Sequence, residues 1–344
     1  MEQENKIMLD FLKKVSPGNP LRTVIDDLIR SDLGALIVFD SPELAPLING
    51  GFRINCRFTS QRLFELCKMD GAVVVSSDLK RILYANVLLT PDHTIHTSET
   101  GTRHIAGERT AKQANTLVIA VSERRKKTTL FFPSSKQYLR SLDEILREVS
   151  SSLQVLEEQR EILDELISKL TILEISDLVS VNDVCKVLQR IEIMLYISES
   201  IKKYFTELGK QGNILNLRYK ELLRGIEKLR DLVIRDYSIL ALKKTNVMLS
   251  NITFEGLLDL EAIARLVLER GLEESVSSKG FRFFSNLNLE EKDVSMLVDE
   301  FGSLNKIFTA SSAEISSIIN GQGERIKEDI SNLREQILSG KAIF

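Results

Sequence analysis

Residues 69–75 of this chain read MDGAVVV, and residues 99–113 read ETGTRHIAGERTAKQ. The first segment places the carboxylate of Asp70 in a glycine turn, directly before an apolar run that is typical of a buried strand. The second segment passes from a glycine turn into a predicted helix that carries four basic side chains, those of Arg103, His104, Arg109 and Lys112. A helix start offers unpaired N–H groups and the positive end of the helix dipole, which together suit a phosphate group.

Nucleotidyl transfer uses a carboxylate that can hold a metal ion and a basic site that can bind a polyphosphate. The two segments offer both. Each half also has a simpler explanation. An Asp-Gly pair is most often only a turn, and a Gly-Thr-Arg-His sequence is often a capped helix start with a solvated basic face. A wider pattern along the chain is needed to decide between these interpretations.

The surrounding sequence alternates between helical and strand patterns. Helices are predicted at residues 6–15, 21–31, 60–68 and 102–114. Strands are predicted at 34–39, 72–75, 82–89, 116–121 and 128–132. Strands interleaved with helices predict an α/β N-terminal domain, residues 1–140, with a mixed and largely buried sheet. The pair Gly50-Gly51 indicates a bend or a bulge.

The pattern changes near residue 140. Apolar residues recur there at steps of three and four, with one step of seven, at Leu142, Leu146, Val149, Leu153, Leu156, Leu163, Ile167 and Leu170. This spacing keeps an apolar seam on one side of a long helix. Further helices are predicted at 184–203, 215–237 and 257–269, with charged residues on solvated faces. Residues 141–285 are therefore expected to form an all-α spine without chemistry of its own.

Several segments have a wider resemblance. They read PGNPLR at 17–22, GALIV at 34–38, GGFRINC at 50–56, KMDGA at 68–72 and RILYAN at 81–86, followed by residues 99–113. In this order they resemble the bacterial DNA integrity scanning proteins, a family of diadenylate cyclases. The resemblance covers nearly the whole chain and is densest between residues 15 and 125.

The resemblance implies condensation of two ATP molecules into cyclic di-AMP with release of two pyrophosphates. Asp70 would be the catalytic residue and would hold Mg²⁺ or Mn²⁺. Gly71 would let the backbone approach the nucleotide, and Leu89 would lie against the adenine. The remaining substrate contacts are assigned to Thr102, Arg103, His104, the backbone of Ile105 and Ala106, and Ser122. The family also implies a homo-oligomer of eight chains.

One departure from the family lies at Ile105, because the family usually has Arg-His-Arg where this chain has Arg103-His104-Ile105. The missing cation predicts a working but weakened cyclase. Arg109, Lys112 or the basic run 124–127 are candidates to compensate, although that run is equally well explained as a solvated hairpin.

The last segment, residues 286–344, is similar to a helix-hairpin-helix DNA-binding domain, with short helices expected at 289–301, 302–304 and 313–319. DNA contacts are expected at Gly321, Gly323, Arg325 and Lys327, with branched DNA as the partner. Gln322 departs from the family, which usually has an aliphatic residue between the two glycines. The segment carries 6 basic and 10 acidic residues, whereas residues 1–140 carry 20 basic and 15 acidic ones. Positive charge therefore collects in the domain that is expected to bind ATP.

Composition sets the remaining limits. Hydrophobic residues make up 43% and charged residues 28% of the 344 residues, as in an ordinary soluble protein. No run of 18 apolar residues occurs, so no membrane span is expected, and the acidic, polar N-terminus does not resemble a signal peptide. The three cysteines are expected to be reduced in the cytoplasm. No cysteine or third histidine lies near the pair His93 and His96 in the sequence, so a loop is expected there and not a zinc site.

Two other interpretations remain open. In the first, the chain binds ATP but turns it over weakly or not at all, and acts as a scaffold that binds DNA structures. In the second, it is a cyclase whose C-terminal module serves assembly instead of binding DNA.

Overall fold

The computed structural model describes residues 11–287, 289–319 and 323–340, with the backbone alone for Lys210. Contacts divide the chain into two compact units. The first comprises Met1–Ser150 with Lys202–Asn216, and the second comprises Ser151–Ile201 with Leu217–Phe344. Within the described residues, no helix is long and apolar enough to cross a membrane.

The first unit contains a sheet of eight strands. They are β1 Ala35–Phe39, β2 Ile48–Asn49, β3 Phe52–Arg57, β4 Ala72–Val75, β5 Arg81–Leu89, β6 Val118–Ser122, β7 Lys127–Phe131 and β8 Lys136–Leu139. The strand order is β2-β5-β4-β1-β6-β7-β8, with β3 also paired to β5. Strands β1 and β4 are parallel, in the register Ile37↔Val73, and the other pairings are antiparallel. The predicted mixed sheet is thus confirmed.

Helices cover both faces of this sheet. They are α1 Pro20–Arg30, α2 Ser60–Cys67 and α3 Thr102–Gln113. Helices α1 and α2 share a core with Ile37, whereas Ala111 of α3 packs in another core with Leu36. Successive residues of a strand point to opposite faces of the sheet. Because helices cover both faces, β1 is buried at every position. This burial explains why its sequence is continuously apolar.

Strands β2, β3 and β8 are absent from the predicted set. Strands β2 and β8 are short and lack a clear apolar alternation, whereas β3 does alternate apolar and polar residues but is mostly exposed. Gly50 and Gly51 form the expected bend between β2 and β3, and both have positive φ. Each of the three cysteines is a free thiol. Burial raises the pKa of Cys67 to about 12, which agrees with an unreactive, reduced side chain.

The spine helices are longer and more interrupted than predicted. They are α4 Leu142–Ser176, α5 Val181–Leu208, α6 Asn213–Leu222, α7 Ile226–Tyr237, α8 Leu242–Ser250, α9 Phe254–Leu258 and α10 Leu260–Val267, with a 3-10 turn at Gly209–Gly212. The pattern predicted at 215–237 breaks before Gly225, which has a φ of 78°. Most of the predicted seam on α4 is buried, but Ile145 is buried at its start while Leu142 and Leu146 are only half-buried.

The prediction that the charged spine residues are solvated is wrong at the pair Glu192–Arg230 and at a cluster around Glu174. Glu174 pairs with Arg282 in the protein interior, and both side chains are at most 5% exposed. Both oxygens of Asp236 accept backbone N–H groups, from Gly280, Phe281 and Arg282. Tyr237 donates its hydroxyl to Glu174 at 2.6 Å. The carboxylate of Glu174 is tolerated in the interior because Arg282 and the Tyr237 hydroxyl replace the water that it loses on burial.

The C-terminal helices are α11 Phe281–Phe284, α12 Glu291–Phe301, α13 Leu304–Thr309, α14 Ser312–Ile318 and α15 Gly323–Leu338. The predicted helix at 302–304 is therefore only the entry to α13. Phe283, Phe284 and Ile175 share one hydrophobic core with α12 to α15. This shared core contains residues from both sides of the predicted domain boundary between residues 285 and 286. The core therefore does not mark that boundary, which stays a prediction.

Candidate active site

Asp70 and Gly71 form the turn between α2 and β4. Gly71 has a φ of 85°, and a Cβ there would lie 2.7 Å from the carbonyl oxygen of Val87. A larger residue would be strained and would also collide with β5. The turn leaves the carboxylate of Asp70 fully exposed at the edge of the sheet.

The start of α3 lies at the same edge. Gly101 is its N-cap and has no side chain to bond the first N–H groups. Those groups have no intrahelical partner, so they are available to an anion. We call residues Gly101–His104 the phosphate cradle.

Arg103 links the two predicted halves of the site. Its Nη2 atom lies 3.8 Å from Oδ1 of Asp70, an exposed pair that contributes little stability by itself. Gly34 was missed by the sequence analysis. A Cβ at Gly34 would overlap the terminal guanidinium atoms of Arg103 and lie 3.2 Å from Cζ. The local sequence of Gly34 predicts only the start of a strand, and nothing near it in the chain identifies Arg103 as its neighbour.

His104 is partly buried beside the edge of Phe131, with ring centroids 6.1 Å apart. Burial lowers the pKa of His104 below its usual value, because the charged form loses solvent. The Glu99 carboxylate opposes this shift, whereas Arg125, Arg103 and Lys136 reinforce it. The charge of His104 therefore depends on its burial and on the charges of Glu99, Arg125, Arg103 and Lys136.

A cavity of about 550 Å³ joins these residues. It is lined by residues 99–104 and 121–125. Thr102, Arg103, His104 and Ser122 are therefore brought together as predicted. Arg124 and Arg125 line the same cavity, and the backbone N–H of Arg125 donates to the Ser122 hydroxyl at 3.2 Å.

The apolar side of the site is mostly covered. Leu89 and Ala106 belong to one hydrophobic cluster, together with Ile48. The Leu89 side chain is only 8% exposed, whereas that of Leu88 is 62% exposed. Leu89 can therefore offer a ligand no more than an edge. Ile105 is half-buried on the first turn of α3.

Arg109 and Lys112 were predicted to belong to the basic site, and this prediction is wrong. Arg109 Nε donates to the carbonyl of Ile95 at 2.9 Å. Lys112 Nζ donates to the carbonyl of His96 and to Glu108, each at 2.8 Å. They lie two and three turns along α3, where they hold the 90–101 loop. In the basic run, Lys126 pairs with Asp32 at 2.8 Å.

A second cavity of about 550 Å³ lies where β1 and β4 end. Phe11, Phe39 and Phe132 line it. It contains none of the predicted site residues, and its described lining has the carboxylate of Asp40 but no lysine, arginine or histidine to bind a polyphosphate. The basic cavity at the opposite edge is therefore the better candidate.

Among the described residues, no cluster of three or more His, Cys, Asp or Glu side chains could form a metal site. Mg²⁺ is commonly held by one or two carboxylates together with substrate phosphates. The exposed carboxylate of Asp70, beside a cavity suited to phosphates, fits a metal ion that arrives with its nucleotide.

The described residues include only part of the predicted DNA-binding turn. Gly321 and Gln322 lie outside the described residues. The N–H of Gly323 already donates to Ser316 Oγ at 3.1 Å. Lys327 Nζ donates to the carbonyls of Phe308 and Ala310, at 2.7 and 2.6 Å. These two expected phosphate contacts are corrected accordingly, while Arg325 is exposed.

Known proteins share this sequence across both units. Residues 22–135 match the family described as "DisA bacterial checkpoint controller nucleotide-binding", and residues 139–276 match its "linker region". The DNA integrity scanning protein DisA of Carboxydothermus hydrogenoformans is 40% identical over 97% of this chain and 98% of its own. That of Symbiobacterium thermophilum is 38% identical over 94% and 95%.

These relatives are similar over nearly their full length, and the matched nucleotide-binding region contains Asp70, the phosphate cradle and Ser122. The chain belongs to the DisA family of DNA integrity scanning proteins and is a diadenylate cyclase, a nucleotidyltransferase.

Proposed function

We propose that this protein condenses two ATP molecules into cyclic di-AMP at the site formed by Asp70, Gly71 and the phosphate cradle. The observation that carries the proposal is the 3.8 Å approach of Arg103 to Asp70 beside a basic cavity. That arrangement joins a carboxylate to a polyphosphate site. Gly71 shapes the turn that presents Asp70, because a side chain there would collide with the Val87 carbonyl of β5.

Each half-reaction forms one bond and breaks one. The 3′-oxygen of one ATP bonds to the α-phosphorus of the other, and the bond from that phosphorus to pyrophosphate breaks. The 3′-hydroxyl gives up its proton to solvent as the new bond forms, and two such steps close the ring and release two pyrophosphates. The cradle N–H groups and Arg103 hold the phosphates in line and bind the charge that develops on the leaving group.

A divalent cation, Mg²⁺ or Mn²⁺, would supply charge neutralisation and lower the pKa of the attacking hydroxyl. Asp70 would hold it together with the phosphates. In our assignment Thr102, His104 and Ser122 bind phosphate oxygens, the backbone of Ile105 and Ala106 lines the same turn, and the edge of Leu89 contacts the adenine.

The basic hairpin is the best candidate to replace the cation missing at Ile105. Arg124 and Arg125 line the cavity, whereas Arg109 and Lys112 are committed to loop carbonyls. We therefore assign compensation to Arg124 and Arg125. Their location at a hairpin tip holds them less firmly than a helix would, so binding should be weaker than with an arginine at position 105.

One site has one carboxylate and one cradle, which is enough for one ATP. A symmetric product from two ATP molecules calls for two sites facing each other across a two-fold axis. We propose a homo-oligomer on this ground, with eight chains as the resemblance to the family implies. Each chain would have a cyclase domain at 1–140, a spine at 141–285 and a DNA-binding domain at 286–344. We place the protein in the cytoplasm.

The relatives are named for DNA integrity scanning. We propose that the C-terminal helices bind branched DNA and that occupancy reduces cyclase activity through the spine. Of the four residues predicted to contact DNA, Arg325 is the remaining described candidate for a phosphate contact. A single weak contact per chain would gain strength from several copies in one oligomer.

The decisive experiment incubates the purified protein with ATP and Mn²⁺ or Mg²⁺ and detects cyclic di-AMP. Asp70→Asn should abolish the product, since the amide is nearly isosteric but cannot hold the metal with full charge. Its thermal unfolding should match that of wild type, because the carboxylate is exposed. Product from a folded Asp70→Asn variant at the wild-type rate refutes the assignment. Wild type that binds ATP and makes no product supports the scaffold alternative.

A further inference from the structure

The 90–101 loop leads from β5 into the phosphate cradle and is fixed by a series of side chains. Four of these contacts come from α3. Gln113 accepts the N–H of Asp92, Arg109 and Lys112 bind loop carbonyls, and Glu108 accepts the hydroxyl of Thr97 at 2.5 Å. The loop is therefore built against the helix that it precedes.

The last contact comes from the sheet. Lys136, on strand β8, donates from Nζ to Ser98 Oγ and to Glu99 Oε1, both at 2.7 Å. The Glu99 side chain is only 7% exposed and that of Lys136 is 33% exposed. Both donations fall on the two residues just before Thr100 and Gly101, where the direction of the α3 N-terminus is set.

We propose that Lys136 and Glu99 are positioning residues of the cyclase reaction, which hold the phosphate cradle against the sheet and set the charge that it presents. The proposal rests on the function proposed above. Glu99 lines the same cavity as Thr102 and His104. A carboxylate facing a polyphosphate would repel it, and the ammonium of Lys136 neutralises that charge.

The charge of the cradle also depends on this pair. The groups that act on the pKa of His104 are Glu99, which raises it, and Arg103, Arg125 and Lys136, which lower it, beside the uncharged Phe131. Removing Lys136 takes away a cation and leaves the Glu99 carboxylate uncompensated, so the pKa of His104 rises. Removing the charge of Glu99 lowers that pKa further.

The experiment compares Lys136→Met with Glu99→Gln. Methionine keeps the length of the lysine stem, and glutamine keeps the shape of the glutamate. We expect Lys136→Met to raise the KM for ATP by about ten-fold, because it loses the tie and leaves the Glu99 charge uncompensated. Glu99→Gln loses the tie but also the repelling charge, so its KM should rise less. In both variants kcat should change by less than about three-fold, because the cradle binds phosphates in both the ground and transition states. The dissociation constant for 3′-deoxy-ATP, which cannot cyclise, should rise with KM.

The pH dependence of kcat/KM supplies the sharper readout, since it reports groups of the free enzyme. If protonated His104 helps to bind phosphate, kcat/KM falls as pH rises through its pKa. That limb should move to higher pH in Lys136→Met and to lower pH in Glu99→Gln. A loss of stability alone would not move the two limbs in opposite directions. Lys136→Arg should restore the wild-type KM and profile.

Lys80→Met is the matched control, because Lys80 forms an exposed pair with Asp78 in the β4–β5 hairpin. It should leave KM unchanged. An unchanged KM in Lys136→Met and Glu99→Gln, or limbs that move the same way, overturns the proposal. If wild type yields no cyclic di-AMP, the proposed function fails instead, and binding of 3′-deoxy-ATP still tests the role of the pair.

Discussion

Gly34 lies directly beneath the guanidinium of Arg103, so the absence of a side chain at one position defines the place of a cation at another. The backbone of Gly34 does not adopt a left-handed conformation, and the atoms that a Cβ would meet are the flexible end of an arginine. An alanine there should fold normally and displace only Arg103.

We predict that Gly34→Ala raises the KM for ATP about ten-fold, which corresponds to roughly 1.4 kcal/mol. Steady-state kinetics measure the change, and thermal unfolding checks that the fold is intact. In an Arg103→Ala background the same substitution should have little further effect, because the residue it displaces is gone. Fully additive losses would contradict this coupling.

Ile105→Arg should strengthen ATP binding, since it restores a cation on the first turn of α3. A charge-assisted hydrogen bond contributes about 1.5–3 kcal/mol, so KM should fall by roughly ten-fold or more if the new side chain reaches a phosphate. Ile105→Met is the control for side-chain length. An equal KM in wild type and both variants would indicate that Arg124 and Arg125 already saturate this role.

Light scattering of the purified chain should give the mass of a homo-oligomer, eight chains in our proposal. Each site holds one carboxylate and one cradle, so product formation should depend on association. Dilution should therefore lower the specific activity once the oligomer dissociates. A monomer that still makes cyclic di-AMP at full rate would exclude the two-site mechanism.

DNA binding is best tested with a point variant. Truncation near residue 285 would expose Phe283, Phe284 and Ile175, which share a core with the C-terminal helices. Arg325→Glu should weaken binding to a four-way junction, and the binding of wild type should fall steeply with salt. Lys292→Glu makes the same charge change on another exposed helix face and should have a smaller effect. Equal losses in both variants would point to general electrostatics.

The buried cluster around Asp236 predicts a dependence of stability on pH. Burial and the neighbouring Glu174 raise the pKa of Asp236 to about 7 in the folded protein, above the ordinary value of 3.8. The stability that this group contributes is therefore full below about pH 4 and lost as pH rises through about 7. Denaturant unfolding between pH 5 and pH 8 should show a decline, and Asp236→Asn should flatten it. An unchanged decline in that variant would assign it to another group.

Local sequence was sufficient for the features that depend on near neighbours. The apolar runs of β1 and β4, the glycine turn at Asp70 and the basic start of α3 all follow from periodicity, turn chemistry and helix termini. The resemblance then brought Asp70, Arg103 and Ser122 into one hypothesis. Short or exposed strands such as β8 escaped, because their residues carry no clear alternation.

The sequence by itself determined the fold class of the first unit, the helical nature of the second and the family, since these rest on patterns within single elements and on similarity along the chain. Only the tertiary structure decided which basic residues face the cavity and which hold the loop. It alone paired Lys136 with Glu99 and Arg282 with Glu174, at separations of 37 and 108 residues. Such partners are brought together when the cores close, and no local spacing encodes them.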